Sequence, residues 1–582
     1  MGETQRFLLL SILIGIFAGV VVVCFHVAIE YVSWRSIDTL EDSARWRFMI
    51  WPALGAGISW SIVRWVFPAA AGSGVNATKA AIFISDGYVP PASVAGKFAA
   101  SAISIGSGNP MGPEDPALQM GAGIASMLGR WFHMTRDNLR MIAPVGAAAG
   151  IGAAFNTPIS AVLFVMEEVV AGWNAGVLGS IVLASVSAVV VSRWFLGDNP
   201  LFGVPDFVIT HPSELVVHAA IGLAGGLLSV VFVRFTLDLR SRVLEASDRQ
   251  KMVLPVLAGL SVGIVGVWAP EALGAGYRTI DGALHDGFPW HFLLILGLLK
   301  MATSSMCFSV GVPGGMFAPA LFIGATIGGG LGALADLYWP FPTSPASAYV
   351  LVGMGTFFAG LFRSPMTSIF MIFEVSASYV IILPAMIANT IAYLVSRQIH
   401  PEPFLHSVAA QEGLHLPSAD EERDVPALTV EDAMKQARDR VLLPNLTIAA
   451  ALDRMTTAGL DAALVRDGVT WHYVTRDELI VAADADADAG ARPDETEPDA
   501  GQGQVRQLLG GQLALRVYRD SSLDSALQFL ARSPILVVAS RANPHLLVGT
   551  LTLDDVHGAY GLMTTASLRN DPGEAGPVPS AV

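Results

Sequence analysis

GPEDPALQMGAGIASMLG, residues 112–129, returns in the second half of the chain as GMFAPALFIGATIGGGLG, residues 315–332. Nine of the eighteen positions are identical at a constant offset of 203. A second set follows each copy. Val145, Gly146, Phe155, Pro158 and Glu167 match Val352, Gly353, Phe362, Pro365 and Glu374 at an offset of 207. The first ~400 residues therefore read as two copies of one unit. In a membrane protein, such a pair places a transport site where the copies meet.

Composition names the solvent of this half. The chain is 53% hydrophobic and only 14% charged, where a soluble domain carries about 25% charged residues. Residues 8–28, 216–233 and 292–310 are apolar over lengths that cross ~30 Å of hydrocarbon. Residues 92–105 and 314–330 are shorter or broken by Gly and Pro, as half-spanning helices are. Scattered glycines elsewhere read as helix-packing positions. Residues 2–6 lack the basic cluster and cleavage motif of a leader and read as a short tail before the first helix. Cys24 and Cys307 lie in apolar runs and read as packed free thiols, with no metal framework.

The charge balance breaks near residue 410. Up to there the chain holds 20 basic and 23 acidic residues; beyond it, 14 and 26. The net charge of −15 thus belongs mostly to the C-terminal part and does not argue against an anionic substrate. Residues 483–504 are acidic, contain Pro and Gly, and show no hydrophobic period, as in a disordered linker. They separate two blocks that each read strand–helix–strand–strand–helix.

Three Gly-bounded helix starts carry the chemistry. Gly72-Ser-Gly-Val-Asn76 precedes a helix over 77–83, Gly112-Pro-Glu-Asp-Pro116 one over 117–128, and Gly315-Met-Phe-Ala-Pro319 one over 320–334. A half-helix N-terminus in a dry site presents unpaired N–H groups and the positive dipole end, and so favours anions. Glycine allows close backbone approach. An ionised carboxylate there mimics an anion, and Glu114 reads as a functional intramembrane acid rather than a mere first-turn acid. Asp115 is equally well a capping or loop acid. Glu167, Glu168 and Glu374 end apolar helices and read as structural.

Residues 1 to about 413 resemble the CLC family of chloride channels and transporters. Its signatures GSGIP, GREGP and GxFxP stand here as Gly72–Asn76, Gly112–Pro116 and Gly315–Pro319. Asn76, Pro113 and Asp115 depart from the pattern. The resemblance implies a hydroxyl from Ser73 and backbone N–H groups from Met316 and Phe317 on the central anion. It implies that Glu114 is the gating glutamate, filling an anion position until protonated or displaced. It places an inward proton relay near Asp198, in Leu196-Gly-Asp-Asn-Pro200, which is also an ordinary turn sequence. It puts Leu405 where the family has an inner tyrosine, which weakens the case for tight proton coupling. With Ser73 in place, chloride or bromide is the implied substrate. No basic residue lies within the three motifs, so dipoles and hydroxyls would hold the anion.

The fold class expected is an all-α polytopic membrane domain of two inverted repeats over 1–410, plus a C-terminal α/β pair resembling CBS domains. A linker covers 411–428, the first CBS domain 429–482, the acidic linker 483–504, the second CBS domain 505–564 and a disordered tail 565–582. In the second block, Thr552 and Asp555 match the Thr-x-x-acid motif that holds a nucleotide ribose in that family; the alternative is helix capping. No cofactor is required, and an adenine nucleotide at the CBS pair is the one ligand besides chloride. The expected partners are the lipid bilayer, a second copy in a homodimer, chloride and protons, with no nucleic acid. The expected location is the plasma membrane, with the CBS pair cytoplasmic. A divalent-cation transporter is the rival reading, but Glu114 and Asp115 sit at the wrong end of a helix dipole for a cation. A membrane-anchored enzyme lacks a matching His signature.

Overall fold

The computed structural model describes Glu3 to Ala559, apart from residues 39–45, 171–174, 199, 206–209, 286, 415, 417–427, 438–439, 469, 491–503, 510–511 and 542–545. The chain forms two compact units that divide at Glu412/Gly413, close to the break in charge balance.

The first unit is all helical. Among the described residues, eight helical segments are long and apolar enough to cross a membrane. Expected runs grow at both ends: residues 8–28 lie in the helix Glu3–Ser33, and 216–233 in Glu214–Leu244. The expected tail over 2–6 is replaced from Glu3 onward by the first helix. Cys307 is buried as expected, but Cys24 is exposed on the outer face of its helix.

The copies are joined by reciprocal contacts. Gly112 and Gly315, equivalent residues of the two repeats, exchange both backbone hydrogen bonds at 2.7 Å. Glu167 accepts from the N–H groups of Met366 and Thr367 at 3.2 and 2.8 Å. Its counterpart Glu374 accepts from Ile159 and Ser160 at 2.8 and 2.7 Å. Those N–H groups are themselves equivalent, because Ile159 and Ser160 lie 207 residues before Met366 and Thr367. Each glutamate thus caps the helix that starts at Pro158 or Pro365 in the other copy. Such reciprocity requires a local two-fold axis between the repeats.

Glycine lets the helices approach. A Cβ on Gly121 would come within 2.1 Å of the Gly146 carbonyl oxygen, and one on the equivalent Gly324 within 2.2 Å of that of Gly353. Backbone-to-backbone contact of this kind is how membrane helices gain packing energy without a hydrophobic drive.

The second unit holds two three-stranded sheets, each with one parallel and one antiparallel pairing. Strands β1 Val441–Leu442, β2 Ala462–Asp467 and β3 Thr470–Thr475 form one; β4 Arg516–Tyr518, β5 Ile535–Ala539 and β6 Leu547–Thr552 form the other. The order β–α–β–β–α is that expected of a CBS pair. The expected boundaries need correction, because the modules exchange their leading segments. Val430 and Ala433 pack into the core of the β4–β6 module, and Lys435 bridges Thr550. Val505 packs into the core of the β1–β3 module, and Thr447 bridges Gln504. Each leading segment carries its apolar residues to the other module's open face. The expected disordered linker also starts too early, since the helix Arg476–Gly490 runs through 483–490. The rest of that linker up to 503, most of the 411–428 linker and the expected tail 565–582 lie outside the described residues.

Glu374→Ala and Glu167→Ala will each leave two helix-start N–H groups without their acceptor, a cost of ~1–3 kcal/mol. Thermal unfolding in detergent will register it as a lowered Tm for either variant. The two effects will be similar in size, because the contacts are symmetry mates.

Candidate anion site

The three Gly-bounded starts meet at the junction of the repeats. Their helices begin earlier than expected: Gly74–Phe83, Glu114–Trp131 and Phe317–Tyr338. Pro116 and Pro319 fall inside the first turn, where a missing N–H costs no hydrogen bond. Glu114 and Asp115 are therefore first-turn residues, and Met316 is the N-cap of its helix. First-turn N–H groups have no intrahelical acceptor, so Met316 and Phe317 are in the position expected of anion donors. The Phe317 ring is locked in an aromatic cluster, with Phe164 and Phe362 at centroid distances of 4.9 and 4.6 Å. Its backbone faces the site while its side chain keeps the surround dry.

Glu114 is fully buried. Its carboxylate accepts a hydrogen bond from the Tyr277 hydroxyl and folds back over Gly112. A Cβ on Gly112 would meet Glu114 Oε2 at 2.2 Å and the Ala318 nitrogen at 3.0 Å. Only glycine leaves room for the carboxylate at the start of the helix Phe317–Tyr338. Glu114 of the first repeat thus rests against the helix N-terminus of the second.

Asp115 goes the other way. Its carboxylate accepts from the Ser73 hydroxyl at 2.9 Å and from the N–H groups of Gly74 and Val75 at 2.7 and 3.0 Å. It caps a helix, as the alternative reading allowed, but the neighbouring helix Gly74–Phe83 rather than its own. Asn76 donates to the Leu405 carbonyl at 2.9 Å, so Leu405 does lie beside the first motif, buried and without a hydroxyl.

Asp198 is not brought to the site. Its side chain is 78% exposed and pairs with Arg193 at 2.8 Å, in the turn that its sequence also suggested. The buried carboxylate of this region is Glu168, held by Lys79 at 2.6 Å with both side chains under 10% exposed. A π-helical turn, Val165–Val169, points Glu167 and Glu168 to different partners.

Two lysines were missed, and the repeat could have found them. Lys97 donates to the carbonyls of Ala70 and Gly72 at 3.2 and 2.5 Å. Lys300, 203 residues later, donates to those of Ala272 and Gly274 at 2.9 and 2.5 Å. The loops they hold are repeat mates as well, Gly72-Ser-Gly74 and Gly274-Ala-Gly276, and Tyr277 follows the second. Gly72 and Gly274 have φ of +78° and +59°, a conformation that glycine adopts without strain. The hydroxyl of Ser73 has no counterpart in Ala275.

The expectation that no basic residue serves the site also fails. A cavity of about 320 Å³ opens onto Ser73 and is lined by Arg64, Lys97, Arg240 and Glu412. Arg240 forms an ion pair with Glu412. Three cations against one anion give the cavity a positive potential.

In the second unit, Asp555 is buried and engaged. The Arg440 guanidinium holds both its oxygens, and Thr552 donates its N–H and hydroxyl at 2.9 and 2.8 Å. Burial alone would raise the Asp555 carboxyl, but the Arg440 and Thr552 hydrogen bonds outweigh it and hold it below the usual carboxylate range.

Known proteins resemble the chain over most of its length. Residues 54–397, more than half of the chain, match the family model described as voltage gated chloride channel. The H(+)/Cl(-) exchange transporter ClcA of Cronobacter sakazakii is 28% identical over 420 residues, covering 69% of this chain and 89% of that protein. ClcA of Vibrio cholerae (strain M66-2) is 29% identical over 412 residues, 68% and 87% of the two chains. Among solved structures, a eukaryotic CLC transporter superposes over 95% of this chain and 98% of its own, with a TM-score of 0.72 at 17% identity. A slow cyanobacterial Cl-/H+ antiporter covers 71% and 98%, with a TM-score of 0.64 at 22% identity.

Breaking the buried Lys79–Glu168 pair from one side strands a charge. Lys79→Met will therefore destabilise the membrane unit by ~3–5 kcal/mol, and the double variant Lys79→Met/Glu168→Leu will recover most of it. A double-mutant cycle read by thermal unfolding in detergent measures the coupling.

Proposed function

The chain belongs to the voltage gated chloride channel family, and on that premise we propose that it carries chloride across a membrane at the meeting point of its repeats, with Glu114 as the gate. The observation that carries the reading is the placement of a fully buried carboxylate against the N-terminus of a helix from the other repeat. A carboxylate there fills an anion's position and competes with it for the same N–H groups. The positive cavity on the Ser73 side supplies the anion, because a cleft of one sign raises the local counter-ion concentration.

Transport proceeds by exchange of occupants. Chloride enters along the basic cavity and loses its water in stages against backbone N–H groups. Met316 and Phe317 receive it once the Glu114 carboxylate turns away or is protonated. Tyr277 holds Glu114 in the closed position through its hydroxyl. The cation-transport alternative has no support in the geometry. Glu114 and Asp115 diverge, one to Tyr277 and the other to Ser73, and both face donors.

Proton coupling is loose in this reading. Leu405 offers no hydroxyl at the inner side, and Asp198 is exposed and paired with Arg193. The protein works as a homodimer in the plasma membrane, with the CBS pair in the cytoplasm. The pair modulates transport without conducting. An adenine nucleotide binding at Thr552 and Asp555 would have to displace Arg440 from Asp555.

Three experiments test this reading. Glu114→Gln in liposomes will raise chloride flux or free it from its pH dependence, since the competing charge is gone; unchanged flux and pH response sink the gate. Chloride and proton fluxes measured together on the wild type will show a variable ratio, and a fixed ratio abolished by Asp198→Asn sinks the loose coupling. Truncation after about residue 415 will leave chloride flux measurable, and lost selectivity in a folded truncation would contradict a purely modulatory CBS pair.

A further inference from the structure

We propose that Asp115 is a second tethered anion, occupying the Ser73 position that an incoming chloride must take. The inference rests on the chloride-transport reading above and adds a residue to it. Four observations carry it. The carboxylate already makes the three hydrogen bonds that a chloride would seek there, from the Ser73 hydroxyl and the N–H groups of Gly74 and Val75. Asp115 is only 4% exposed, so water does not compete for those donors. The Ser73 end of the site opens onto the positive cavity, the side from which an anion arrives. Finally, the adjacent acid lies at the other helix start, beside Gly112 and the Ala318 nitrogen, and Glu114 Oε2 is buried without a hydrogen-bond partner among the described residues.

Consecutive residues thus fill two anion positions with two carboxylates. Helix geometry explains how. Successive first-turn residues point about 100° apart around the axis, so Glu114 and Asp115 cannot face the same helix start. Glu114 is directed to the helix Phe317–Tyr338 of the second repeat, and Asp115 to the helix Gly74–Phe83 of the first. The equivalent residues of the second repeat are Phe317 and Ala318, which bring no charge. The charged groups whose fields reach Asp115 are Lys97, Glu114 and Glu412. Lys97 balances the tethered carboxylate at rest. When chloride displaces Asp115, the same lysine faces the chloride.

A tethered competitor makes a specific kinetic claim. It raises the chloride concentration needed for half-maximal flux, whereas a carboxylate that merely caps a helix changes stability alone. Asp115→Asn keeps the shape and removes the charge; Asp115→Gly removes the group. Chloride efflux from liposomes, titrated with chloride, will show half-saturation about tenfold lower in either variant, the equivalent of roughly 1.4 kcal/mol of competition removed. Glu114→Gln serves as the internal control. If it alters flux while both Asp115 variants keep wild-type half-saturation, Asp115 is only a cap and the proposal fails, though the functional reading stands. If monodisperse wild type and Glu114→Gln both pass no chloride, the functional reading itself fails. Should neither Asp115 variant fold, bromide soaked into wild-type crystals decides. Bromide at Ser73 with Asp115 swung away supports the proposal. Bromide at Ser73 with Asp115 still bonded to it, or no bromide there while Asp115 stays bonded, overturns it.

Discussion

The two hydrogen bonds exchanged by Gly112 and Gly315 fix the geometry on which the site depends. They pin two loops back to back on a local two-fold axis, and each loop feeds directly into a helix. Both helix N-termini must then point toward a common region. The field there is set by backbone dipoles before any side chain is chosen. The carboxylates of Glu167 and Glu374 hold the same axis from further away, each capping its partner repeat. Their role is to keep the starts aligned, since a small rotation of one repeat would spread the donors apart.

Much of this was legible in the sequence because repeats and glycines are written in it. The offsets of 203 and 207 gave the duplicated unit, and the structure pairs the very residues that the offsets align. Glu114 could be singled out because an acid at a Gly-bounded helix start in apolar sequence has few other uses. The helices themselves start three residues earlier than expected, and Pro116 and Pro319 occupy first-turn positions. Lys97 and Lys300 have no part in the sequence reading, although they lie at the same offset as the motif. What holds them is the free carbonyls of a glycine turn, and such carbonyls leave no mark in sequence.

Other features could not be read in principle from one chain. The capping alternative for Asp115 was open, but the helix it caps lies 40 residues earlier in the sequence, and only the fold brings the two together. Glu168 and Lys79 are 89 residues apart, each unremarkable alone; burial makes them a pair. The exchange of leading segments between the two CBS-like modules is of the same kind. Val430 and Val505 fit the apolar pattern of either module, and pairing with Thr550 or Thr447 nearby decides which core receives each. Asp198, a family position counted along the chain, lies on an exposed turn and pairs with Arg193.

The site departs from the symmetry of its frame, and that departure gives transport a direction of approach. Backbone elements repeat closely: paired glycine turns, paired lysines and paired helix starts. Side chains do not. Ser73 stands against Ala275, Glu114 against Phe317 and Asp115 against Ala318. Both carboxylates and the Ser73 hydroxyl come from the first copy, and the second supplies helix-start N–H groups, an aromatic wall and the Tyr277 hydroxyl that holds Glu114. A symmetric pair of acids would place four carboxylates around one axis, with mutual repulsion that the low dielectric magnifies. A symmetric pair of apolar starts would leave the donors open, with nothing to close them. With acids from one copy only, each tethered carboxylate lies across donors that an anion can reclaim. The basic cavity meets the Ser73 side first, so an anion entering there encounters Asp115 before Glu114. Asp115 meets the N–H groups of Gly74 and Val75 with a carboxylate of the chain's own, so that helix start is not left with unpaired donors.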